Sequence, residues 1–164
     1  MSGSHALVMD DAHLRALVDD VFVAMASHAK VGTDAGGALA APAQPVRHAW
    51  VEITGDVSAR VVISVAGAAA EAITRELLGL GHDAPVSDAD VSDALGELVN
   101  VLGGNVKSVL AAGGTLSIPA TGLVPPASPA SALSTAVDVP WRGLPVHVRL
   151  TALPSAAPRR RETA

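Results

Sequence analysis

Apolar and polar positions along the chain follow two rhythms, and the switches between them mark the elements. Residues 10–28 carry Leu14, Leu17, Val18, Val21, Phe22 and Met25 at helical spacing, which predicts an amphipathic helix, with His28 suiting the dipole at its C-terminal end. Residues 31–45 are rich in Gly, Ala and Pro and read as a loop, expected to be mobile. From 46 to 54 and from 58 to 65 the pattern alternates on either side of Gly55-Asp56, so a β-hairpin is predicted. In its second strand Ala59, Val61, Ile63 and Val65 share one face; Ser58, Arg60 and Ser64 share the other. Helical spacing returns over 66–79, with Ala69, Ile73, Leu77 and Leu78 inward, and Gly79-Leu80-Gly81 ends it.

The longest helical rhythm spans 87–110. Ser87 is placed to cap it, with Asp90 three residues on as a capping-box partner. Asp88, Asp90 and Asp93 crowd the first turns, where the helix dipole favours negative charge. Leu95, Leu98, Val99, Leu102, Val106 and Val109 form its core side. Gly113-Gly114 closes the segment. The C-terminal third alternates again. A strand over 115–124 is interrupted by Pro119, which demotes it to an edge or bulged strand. A stiff Pro-rich loop follows at 125–129. Strands over 132–139 and 144–153 then flank Trp141-Arg142-Gly143, read as a second hairpin turn.

The order α-β-β-α-α-β-β-β, with short turns between consecutive strands, predicts an α+β two-layer sandwich: a mainly antiparallel sheet with long helices packed on one face. The Val61/Ile63/Val65 and Leu144/Val146/Val148 stripes are expected to face the apolar side of the 87–110 helix. Residues 1–154 suit a single domain with one core. The tail 155–164, with Arg159-Arg160-Arg161, has no core signal and reads as a disordered, solvated basic run.

Composition sharpens this picture. The chain is 49% hydrophobic, mostly Ala and Val, with one Phe, two Trp and no Tyr, so an aliphatic core is expected. A net charge of −5 argues against a nucleic-acid surface. With no cysteine there is neither a disulfide nor a thiolate metal site. No secretory signal and no stretch long enough to span a membrane is visible, so a cytoplasmic protein is expected. The chain has no phosphate-binding glycine loop, calcium loop, paired histidines or serine elbow, and no metal or cofactor of its own is expected.

What remains for chemistry is the polar face of the 87–110 helix. Asp93, Glu97, Asn100 and Gly104 fall within roughly 60° of one another on a helical wheel, opposite the apolar stripe, with Lys107 beside them. A polar stripe is also what any surface helix carries. Gly96, Gly103 and Gly104 speak for something further, since each glycine costs a helix about 1 kcal/mol relative to alanine. Gly104 leaves bare backbone one turn beyond Asn100, a flat place where another molecule can sit.

The pattern Asp93-Ala-Leu-Gly-Glu97-Leu-Val-Asn100 resembles the chemotaxis phosphatases of the CheC, CheX and FliY group. The continuation Gly103-Gly104-Asn105-Val-Lys107-Ser108, the downstream Leu116-Ser-Ile-Pro119 and the presence of one motif only are similar to the CheX branch. The resemblance implies hydrolysis of the phospho-aspartate of a CheY-type response regulator. Asn100 would position the attacking water, and Glu97 would pair with the regulator's lysine. Asp93, Gly104 and Lys107 are then partner-facing positions, and Mg²⁺ belongs to the regulator. Asn105 lies around the helix from Asn100 and reads as a buried amide satisfying backbone groups. The resemblance also implies a homodimer formed through the sheets, with 115–124 as a candidate pairing strand that its prolines work against. A non-catalytic module that binds a response regulator or flagellar component through the same face is the alternative.

Overall fold

The computed structural model describes residues 9–28, 45–110 and 113–154, without the side chains of residues 27 and 28. The loop expected at 31–45 (all but its last residue), the tail at 155–164 and the side chain of His28 lie outside the described residues. Three helices and six strands follow in the order α1 (Asp11–His28), β1 (Arg47–Thr54), β2 (Ser58–Val65), α2 (Gly67–Leu77), α3 (Asp88–Leu110), β3 (Thr115–Leu116), β4 (Ala120–Gly122), β5 (Ser134–Trp141) and β6 (Leu144–Leu153). The class is the expected α+β, and every strand pair is antiparallel. Strand order is β3-β1-β2-β6-β5, with β4 also on β1. The single strand expected over 115–124 is two short pieces. Pro119 has no N–H to give a ladder, and pairing resumes only at Ala120.

Alternation sets the faces. Ala49, Val51 and Ile53 of β1, then Ala59, Val61, Ile63 and Val65 of β2, are buried and join Val146, Val148 and Leu150 of β6 in one core with the helices. The helices divide the sheet between them: α3 lies chiefly over β1, whereas α1 covers β5, and α2 leans on α3. The β6 stripe thus shares the α3 core without lying directly beneath that helix.

Two residues expected to face inward are exposed at helix ends. Leu78 is 47% exposed because it is the C-cap of α2, where the chain turns out through Gly79 at φ +64°. The Leu80 N–H donates to the Arg75 carbonyl and the Gly79 N–H to the Glu76 carbonyl, the paired bonds of a glycine-terminated helix. Val109 is likewise exposed, in the last turn of α3.

Nor is the core purely aliphatic. Trp141 is buried, ends β5 and meets Phe22 of α1 edge-to-face at 5.2 Å. The hairpin turn is the two residues Arg142 and Gly143, at φ 44° and 84°, the mirror-image turn whose twist suits adjoining strands.

The connection from β4 at one edge to β5 at the other crosses the sheet face away from the helices. Arg60 Nη1, on that face, donates to the Ala127 carbonyl at 3.0 Å. This cover helps account for the burial of Val62 and Thr151 on that face. The glycines of α3 divide in the same structural way. A Cβ on Gly103 would stand 2.3 Å from Val51 Cγ2 and 3.2 Å from Leu116 Cδ1, while nothing lies within 4 Å of one on Gly104. Gly103→Ala is therefore expected to lose stability, since overpacking by about 1–3 kcal/mol outweighs the gain of about 1 kcal/mol in helix propensity. Gly104→Ala is expected to gain up to about 1 kcal/mol. Urea denaturation of the two variants reads both signs, and a stabilised Gly103→Ala would contradict the close approach of α3 to β1.

Candidate functional site

The N-terminus of α3 is fixed by a reciprocal cap. The Ser87 N–H and Oγ donate to Asp90 Oδ2 at 2.9 and 2.6 Å, and the Asp90 N–H donates to Ser87 Oγ at 3.1 Å. These hydrogen bonds, that of the Ser87 hydroxyl foremost, hold the Asp90 carboxyl below its ordinary value. Arg47, at the start of β1, pairs with Asp88 and ties the helix start to the sheet. The close contact at Gly103 fixes the other end. Between these points the helix cannot rotate without breaking its core contacts, so its outer face is presented in one orientation.

On that face Asp93, Glu97 and Asn100 line an open cleft of about 350 Å³ with Ser92 and Gly96, and Pro119 and Thr121 form the opposite wall. Asp93 and Glu97 are exposed and Asn100 is half-buried. Among the described residues none of the three side chains has a hydrogen-bond or ion-pair partner. Two carboxylates at i and i+4 repel one another on a helix, by about 0.2–0.5 kcal/mol. Among the described residues no arginine or lysine pairs with them; Arg47 is engaged by Asp88 and Lys107 by backbone. The arrangement suits a cationic group brought from outside, with a carboxamide alongside able both to donate to and accept from a water.

The remaining positions separate. Gly104 lies one turn beyond Asn100, open to solvent and outside the cleft lining. Lys107 Nζ donates to the Gly114 carbonyl at 3.1 Å, which holds the chain where it leaves α3 for β3. Asn105 is exposed, not buried, although its Nδ2 does satisfy a backbone group, the Val101 carbonyl at 2.9 Å. The sequence reading singled out Gly96 as a helix glycine and Pro119 as a strand breaker without placing either at the site, and it missed Ser92 and Thr121. Ser92 and Gly96 stand at i−8 and i−4 from Asn100, so the wheel held a signal for them: small residues beside the acidic stripe. Pro119 and Thr121 had no local signal, because they arrive by the pairing of β4 with β1. Among the described residues no group of three or more His, Asp or Glu is placed to hold a metal ion.

The model of the family described as "Chemotaxis phosphatase CheX" matches residues 48–122, from β1 through the whole of α3 to β4. Over that stretch, a little under half of its length, the chain is similar to the CheX family. The fold is shared with a CheX from Desulfovibrio desulfuricans at 19% identity and a TM-score of 0.61, covering 85% of this chain and 96% of that one. It is shared with a CheC-like superfamily protein from Shewanella sp. PV-4 at 14% identity and 0.60, over 86% and 95%. A CheX from Borrelia burgdorferi, solved as a CheX-CheY-BeF₃-Mg²⁺ complex, is similar at 17% identity and 0.57, over 87% and 97%. No curated protein sequence matches the chain significantly. No helix among the described residues is long and apolar enough to cross a membrane.

Proposed function

We propose that this protein accelerates hydrolysis of the phospho-aspartate of a CheY-type response regulator. The observation that carries the reading is the unpartnered Asp93-Glu97-Asn100 face lining an open cleft. An acyl phosphate is already activated, so catalysis is mostly a matter of placing water in line with the phosphorus. Asn100 orients that water through its carboxamide. Glu97 pairs with the regulator's lysine and aligns the two proteins, and Asp93 adds negative charge to the same docking face. Gly104 keeps the backbone next to Asn100 clear of side chains. Lys107 stays a partner-facing candidate in this reading, with one of its three ammonium donors already given to the Gly114 carbonyl at the turn into β3. Mg²⁺ comes with the regulator, a role supported by its presence in the Borrelia complex. Such a partner places the protein in the cytoplasm.

The test is the decay of a phosphorylated CheY-type regulator with and without the protein. Faster decay is the expected result; unchanged decay despite binding would make the chain a non-catalytic regulator-binding module. A homodimer joined through the sheets belongs to the same reading. The longer free edge is β5, since β3 and β4 are short, although Arg15 Nη1 occupies the Asp138 carbonyl at 2.9 Å and blunts that edge. Light scattering at micromolar concentration is expected to give the dimer mass, and a monomer would refute the assembly.

A further inference from the structure

The connection between β3 and β4 projects an apolar side chain that the chemistry above does not use. Ile118 is 89% exposed, the most exposed large hydrophobic among the described residues. A lone exposed isoleucine is ordinary on a protein surface, but here the backbone that carries it is pinned. The Ser117 N–H donates to the Glu52 carbonyl at 2.9 Å, the Glu52 N–H donates to Ser117 Oγ at 2.9 Å, and Ser117 Oγ donates to the Ile118 carbonyl at 3.1 Å. On the other side Pro119 has its φ locked by its ring and forms the cleft wall facing Glu97 and Asn100. Less backbone ordering entropy then remains to be lost when a partner covers Ile118.

We propose that Ile118 is an apolar anchor for the response regulator, gripping the surface that borders its phosphorylated aspartate. The inference rests on the phosphatase reading and names the kind of surface that reading requires. A stable protein interface covers roughly 800 Å² on each partner, a disc of about 16 Å radius. Ile118 is one residue from the cleft wall, and consecutive Cα atoms stand about 3.8 Å apart. A protein centred on Glu97 and Asn100 therefore covers Ile118, whereas a small phosphate ester fills the cleft of about 350 Å³ without needing it. The unpaired carboxylates of Asp93 and Glu97 select a cationic group, and Ile118 beside them selects an apolar one. Together they fit a protein surface on which a lysine and a phosphorylated carboxylate lie against an apolar patch, and they disfavour a uniformly basic surface.

Ile118→Ser tests this with phosphate decay followed over a range of regulator concentrations. The expected result is a KM raised roughly tenfold with kcat unchanged, the signature of binding lost equally from ground and transition states. Ile118→Val is expected to keep most of the affinity. An unchanged KM in Ile118→Ser overturns the anchor while leaving the phosphatase reading intact. So does light scattering that shows the substitution splitting a dimer, since Ile118 then packs against a second copy. If the wild-type protein binds the regulator without speeding decay, the phosphatase reading falls, and calorimetric affinity still decides the anchor: weakened binding by Ile118→Ser supports it and unchanged binding refutes it. A wild-type protein that binds no regulator overturns both.

Discussion

Asn100→Ala is expected to abolish the acceleration of phosphoryl loss while leaving regulator binding largely intact. The carboxamide is half-buried at the cleft, with no partner among the described residues, so its removal disturbs neither the core nor a described hydrogen-bond network. The contact proposed for it, with the attacking water, would matter in the transition state, and loss of such a contact lowers turnover in preference to ground-state affinity. Misplacing a reactant by about 1 Å already costs on the order of 100-fold, and here the orienting group is removed altogether. Asn100→Asp keeps the size but replaces the NH₂ donor with negative charge beside a phosphoryl group, so it should be at least as damaging. Glu97→Ala should behave differently, weakening binding and slowing turnover through a looser complex. Decay rates and calorimetric affinities of the three variants separate these roles. If the polar face is only solvated surface, all three changes stay within about 0.5 kcal/mol of wild type in stability and leave activity alone. Wild-type turnover in Asn100→Ala would end the assignment.

Trp141→Ala carries the largest expected effect on stability. The indole is 1% exposed and packs edge-to-face on Phe22, so its deletion opens a cavity between α1 and the end of β5. Large aromatic deletions of this kind cost about 3–5 kcal/mol. A polar loss adds to this. Trp141 Nε1 donates to Glu76 Oε2 at 2.7 Å, and Glu76 Oε1 has only an ion contact with Arg142 Nε, at 2.6 Å and outside hydrogen-bond angles. Removing the indole leaves a largely buried carboxylate short of a donor, which costs a further 1–3 kcal/mol or so. Trp141→Phe keeps part of the packing and loses the hydrogen bond, so it should fall between. Thermal unfolding orders the three proteins, and a loss below about 1 kcal/mol in Trp141→Ala would show that the indole is not structural.

Trp141 also shows where local reading stops. Next to Arg142-Gly143 it looks like part of a turn, and nothing local says that β5 continues through it. The pairing Trp141↔Leu144 and the meeting with Phe22 decide the matter, and both depend on α1 lying over β5. Leu78 and Val109 fail for the opposite reason. Each keeps the helical rhythm, but rhythm does not record where a helix runs past the surface it covers.

Periodicity by itself determined that the described residues form three amphipathic helices and antiparallel strands, because burial of one face imposes a period of 3.6 or 2 on the residues. It also determined that Asp93, Glu97 and Asn100 share one side of one helix, since their spacing alone puts them there. The Ser87–Asp90 cap was equally local, its partners being three residues apart. Tertiary structure decided what that side faces. Pro119 and Thr121 reach the cleft only because β4 pairs with β1, over which α3 is seated through the missing side chain of Gly103. It likewise brought Lys107 to the Gly114 carbonyl and left Ile118 projecting beside the cleft. Contacts between residues far apart in sequence depend on which surfaces meet, and a one-dimensional pattern specifies the surfaces without specifying their meeting.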